Sequence, residues 1–163
     1  LCISLDLDQG VALDDLPPPG PTVALPATAL RPAVSGLLQP SRFVPLQRVS
    51  EPSALLGSAQ VRRAQPLAER PDTQVFAALA IRSADGRTRR LDEQVKPLAN
   101  RGSTRLNAVS ASLAPGDEIG LLVSGFSGQY LFNSSWRFSS VELQGEVQLP
   151  SLLPLHPRVA ARR

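Results

Sequence analysis

The chain has 163 residues and a formal net charge of +3, which is one domain's length and enough to bury a sizeable core without metals or disulfides. Its single cysteine, Cys2, excludes an internal disulfide, and no apolar stretch approaches the ~20 residues that a membrane-spanning helix needs. Charge is uneven, acidic at Asp6, Asp8, Asp14 and Asp15 and basic at Arg158, Arg162 and Arg163, yet neither end has the dense single-sign block of a nucleic-acid-binding arm.

Of the 17 basic residues all but Lys96 are arginine, a bias that with frequent Ala and Pro fits a GC-rich bacterial genome. Methionine is absent and Leu1 opens directly on a strand-like pattern, so the natural N-terminus is expected upstream. A signal peptide would then also lie upstream, and the compartment, bacterial cytoplasm or secreted, stays open.

Leu1 to Asp8 alternates apolar and polar residues, the pattern of a half-buried strand. From Leu16 to Pro40 prolines recur and remove ladder donors, predicting an extended connection with one short strand near Thr22 to Leu25. Residues 1–40 are therefore an N-terminal strand plus a Pro-rich connection, residues 41–150 a β-sandwich, and residues 151–163 a basic, Pro-containing tail. Within the sandwich, Phe43 to Arg63 offers two strands, the second centred near Val61. Val75 to Ile81 is apolar at every position, as expected of a central strand covered on both faces. Asp85-Gly86 has the chemistry of a tight hairpin turn, with Thr88 to Leu91 returning. Leu106 to Leu113 and Glu118 to Ser124 flank Pro115-Gly116-Asp117 and predict a second hairpin. Val141, Leu143, Val147 and Leu149 alternate with Glu142, Gln144, Glu146 and Gln148 in an amphipathic strand. No window sustains a 3.6-residue apolar period. The fold predicted is all-β: a jelly-roll-like sandwich of about eight to ten antiparallel strands with little helix.

The order of pieces from Phe43 onward resembles the C-terminal β-sandwich of the X-Pro dipeptidyl-peptidase and cocaine-esterase-like hydrolases. The resemblance rests on FVPLQRVSEPSALLG (Phe43 to Gly57), DTQVFAALAIRSADG (Asp72 to Gly86) and LAPGDEIGLLVSG (Leu113 to Gly125), and covers about two thirds of the chain. Two features depart from it: Asp117 and Glu118 stand where the family often has a basic residue, and the Pro-rich lead-in has no counterpart. The resemblance implies a galactose-binding-like jelly roll appended to a serine α/β-hydrolase acting on peptide, ester or amide bonds. Such a domain shapes the substrate cleft or packs domains, with the upstream hydrolase domain of the same polypeptide as its partner and homo-oligomers also expected. The catalytic serine, acid and histidine would then lie upstream.

Chemistry within the chain itself agrees with a non-catalytic role. Gly125-Phe126-Ser127-Gly128 lacks the spacing of a G-x-S-x-G elbow and has no helix pattern behind it. His156, the sole histidine, lies between prolines in the tail and reads as a solvated residue rather than a general base. Asp6, Asp8, Gly10, Asp14 and Asp15 could offer oxygen ligands to calcium, but Pro17 stands where the closing Glu would be needed, so no metal or other cofactor is assigned. Arg62-Arg63 and Arg87, Arg89 and Arg90 read as solvated strand edges that block strand addition, with no nucleic-acid partner.

The best candidate binding residues are Tyr130, Asn133 and Trp136, inside the aromatic-rich segment Gly125 to Phe138. They resemble the stacking platforms of carbohydrate-binding modules built on jelly rolls. A carbohydrate- or ligand-binding module is the alternative function. The competing structural reading is that these aromatics cap the core.

Overall fold

The computed structural model describes residues 18–30, 41–64, 74–92, 94–125, 127 and 141–155. Cys2, the acidic residues between Asp6 and Asp15, the candidate residues Tyr130, Asn133 and Trp136, and His156 lie outside them. Ten strands follow in chain order: β1 (Thr22–Leu30), β2 (Arg42–Arg48), β3 (Ser53–Arg63), β4 (Phe76–Arg82), β5 (Thr88–Arg90), β6 (Lys96–Pro97), β7 (Ser103–Leu113), β8 (Glu118–Ser124), β9 (Val141–Gln148) and β10 (Ser151–Pro154). No helix occurs among the described residues, so none is long and apolar enough to cross a membrane.

The strands form two antiparallel sheets. In sheet A, β3 is central, with β7 on one side and both β9 and β10 on the other, and β1 adds outside β9. β9 and β10 lie end to end along one edge of β3, pairing Gln60 to Arg63 and Ser53 to Leu56 respectively. Between these stretches β3 has one residue more than its partner, and Gly57 adopts φ 109° there, a bulge that only glycine enters without strain. In sheet B the order is β2, β8, β4, with the short strands β5 and β6 end to end along β4. Consecutive strands mostly alternate between the sheets, giving β1, β9/β10, β3, β7 against β2, β8, β4, β5/β6. That strand order is a jelly roll.

The apolar periodicity explains where the core sits. Val75, just before β4, Ala77, Leu79 and Ile81 of β4, and Ile119, Leu121 and Val123 of β8 face Leu55, Val61, Leu113, Leu143 and Val147 of sheet A across the sandwich. Phe76, Ala78 and Ala80, on the opposite face of β4, are buried as well, so β4 is covered on both sides as its unbroken apolar run requires. Sheet A differs: β7 and β9 bury alternate residues.

Besides the start of the tail, where Ser151–Pro154 pairs with β3 as β10 of sheet A, two segments differ from the sequence expectation. Leu113 and Glu118 do not join a hairpin, because β7 pairs with β3 in sheet A while β8 lies between β2 and β4 in sheet B. The Pro115-Gly116-Asp117 turn is instead an arch between the sheets, tied to the β2–β3 corner by Gly116 N–H to Val49 O at 2.8 Å and Val49 N–H to Asp117 O at 2.8 Å. Asp117 is buried and its carboxylate accepts from the Ala114 N–H at 2.9 Å, closing the arch, while Glu118 bonds Arg82 on the neighbouring strand at 2.8 Å. The acidic pair that departs from the resembled family is thus part of the fold. The second difference lies in the Pro-rich lead-in. β1 extends past Pro26 to Leu30 by means of a register shift between Leu25 and Thr28, and the chain contributes a full sheet A strand there.

Candidate functional site

The register of sheet A places polar side chains in rows on the face turned away from the core. Side chains of directly paired residues project from the same face. Val61 and Val147 are paired and point inward, so their neighbours Gln60, Arg62, Glu146 and Gln148 point outward. Following the pairings across the strands, one row reads Thr22, Gln148, Gln60, Arg105 and the next reads Ala24, Glu146, Arg62, Ser103. Each row crosses four strands, about 14 Å at ordinary strand spacing.

These rows floor two adjoining depressions. The first, of about 360 Å³, is lined by Thr22, Gln60, Arg62, Ser103, Glu146 and Gln148, with Gly102 at its rim. The second, of about 650 Å³, shares Gln60 and Gln148 and continues toward Arg105 and the apolar group Pro18, Leu56 and Pro150. The two form one trough with a polar half and a partly apolar half. Several connections position it. Ser151 Oγ donates to Pro18 O and Gly20 N–H donates to Leu149 O at 3.1 Å, which seat the lead-in to β1 along the β9–β10 junction.

The trough's side chains are largely uncommitted. Gln60 Nε2 donates to Ser103 Oγ at 2.7 Å, which fixes the amide in the centre of the floor. Arg62 and Glu146 are register partners of opposite charge but make no ion pair among the described residues, and both are exposed. Gln148 and Thr22 lie beside them at the surface. A face of this kind can present amide donors and acceptors, hydroxyls, one carboxylate and two guanidinium groups to a ligand at once. It holds neither histidine nor cysteine, and among the described residues no group of three or more His, Cys, Asp or Glu side chains could hold a metal ion.

The other residues singled out by sequence are placed as follows. Arg89 and Arg90 lie on β5, exposed at the edge of sheet B, and Arg87 approaches Asp85 at 3.5 Å at the surface. Arg62 and Arg63, adjacent in sequence, point to opposite faces: Arg62 enters the trough, while Arg63 turns toward the core side. Sequence reading missed the trough because its residues come from four separate strands and share no motif. The signal that could have revealed it is the polar half of the β9 alternation, Glu142, Gln144, Glu146 and Gln148. In comparisons with known proteins, the chain matches no family model, no curated protein and no solved structure.

Proposed function

We propose that this chain is a non-catalytic jelly-roll module that works by binding, its ligand an oligosaccharide or a similarly polyhydroxylated molecule laid along the outer face of sheet A. The observation that carries this reading is the double row of outward polar side chains, with the paired amides Gln148 and Gln60, the latter held by Ser103, at its centre. Amides offer a donor and an acceptor together, which matches the mixed donor and acceptor character of hydroxyl groups. Flanking guanidinium groups add forked donors for vicinal oxygens. The apolar rim at Leu56 and Pro150 supplies contact for the less polar faces of such a ligand.

The test is a glycan array probed with the intact chain, followed by titration calorimetry on a retained oligosaccharide. The double variant Gln60→Ala/Gln148→Ala removes two ligand hydrogen bonds, each worth about 0.5–1.5 kcal/mol, so affinity should fall roughly tenfold, while the melting temperature falls only by the loss of the exposed Gln60–Ser103 bond. Absence of any retained glycan, or a double variant that binds like the parent, overturns the reading. Loss of retention in Trp136→Ala alone would move the site to the aromatic segment.

A second reading keeps the resemblance to the hydrolase C-terminal sandwich, with the chain packing against a serine α/β-hydrolase domain. It is supported by the strand order, since the three resembling segments map onto β2–β3, β4 with its turn, and β7–β8 of a jelly roll. A complete coding sequence that includes a G-x-S-x-G elbow, an acid and a histidine would favour it. One without them would remove it.

A further inference from the structure

Each sheet of an open sandwich ends in strands whose outer backbone groups lack a partner, and proteins ordinarily protect those edges. Three of the four edges here carry such protection. β1 has Pro26 at its register shift, β2 has Pro45 at its own shift and arginines at both ends, and the last edge of sheet B consists of the short β5 and β6, with Arg89, Arg90, Lys96 and Pro97. β7 has its charge, Arg105, and its register shift only in its first part, before Ala108. From Leu106 to Leu113 it reads LNAVSASL, without proline, glycine or charge.

β7 pairs only with β3 among the described strands. Its first half is approached by the β5–β6 connection, where Asn107 Nδ2 donates to Asp92, and by the β6–β7 connection, where the Ala99 N–H donates to Thr104 Oγ1 at 2.7 Å. The second half, Ala108 to Leu113, is engaged by neither bond. It pairs with β3 without interruption from Ser53 to Ser58, so it is regular enough to template another strand.

We propose that this edge is the contact surface for a second copy of the chain, with two β7 strands pairing antiparallel about a two-fold axis at Ser110. The register is self-consistent. On the polar face Ser110 meets its own copy and Ala108 meets Ser112, while on the core face Val109 meets Ala111, all small or β-branched residues that fit close cross-strand pairing. No charge opposes a like charge, because Arg105 falls opposite the Pro115 position. An isologous contact of this kind closes on itself and stops at the dimer. It also fuses the two copies of sheet A into one continuous sheet, so that both polar faces lie side by side.

The test is sedimentation of the intact chain across a concentration series. The expected result is a monomer–dimer equilibrium that Ser110→Lys shifts to monomer, because a cation then opposes its own copy. Ala24→Lys, on the far strand of the same face, should leave the dimer unchanged. In a Cys2→Ser background, Ser110→Cys should oxidise to a covalent dimer. A monomer at every soluble concentration overturns the proposal, as does a dimer that survives Ser110→Lys or a Ser110→Cys variant that fails to cross-link.

Discussion

Arg63 is a costly side chain. Its Nε and Nη1 are buried without a hydrogen-bond partner, and burial pulls the guanidinium below its usual pKa. A buried donor left unpaired costs about 1–3 kcal/mol, and a well-packed apolar side chain of similar length can replace such a group at a gain. Arg63→Met should therefore raise stability by about 1 kcal/mol or more in urea unfolding; no gain would mean that the guanidinium is satisfied in solution. Gly120 poses the reverse problem. A Cβ there would lie 2.4 Å from Val44 O and 2.5 Å from Phe43 Cζ, because the Phe43 ring covers the glycine and itself lies 4.7 Å beneath the Arg82 guanidinium. Gly120→Ala must displace that ring or the β2 backbone, and thermal melting should register a loss of about 1–3 kcal/mol.

At the scale of strands, β1 is the test of what the Pro-rich lead-in contributes. Leu25 is 1% exposed in the core, and the strand pairs with β9 from Thr22–Gln148 to Leu30–Val141. Deleting the chain through Leu30 would uncover the whole outer edge of β9, so the shortened protein should aggregate on expression or elute in the void volume; a soluble, cooperatively folding product would show that β1 is dispensable. Strand identity was legible where composition is extreme. The unbroken apolar run of β4 and the alternation of β9 each allow only one placement. Pairing was less legible, and β7 and β8 show why: a Pro-Gly-Asp turn between two apolar strands fits a hairpin and an arch equally well. What decides is which strands wait on either side, and that is not local information.

Across the whole molecule the same distinction separates fold from site. The sandwich follows from patterns within single strands, whereas the trough exists only because Thr22, Gln148, Gln60 and Arg105, distant in sequence, are brought into line by register. Aromatic residues attract attention in a sequence because each carries a large contact area, and the amides that form the trough floor carry no such mark. The split between β9 and β10 shapes that floor further. Pro150 interrupts the strand beside Gly57, and a bulge of this kind bends and twists the sheet locally. The Gly57–Pro150 junction lies along the side of the trough, where such a bend would turn a ribbed surface into a dish. Sugar units laid across it would meet side chains from beside them as well as from beneath, and selectivity would come from curvature as much as from hydrogen bonds.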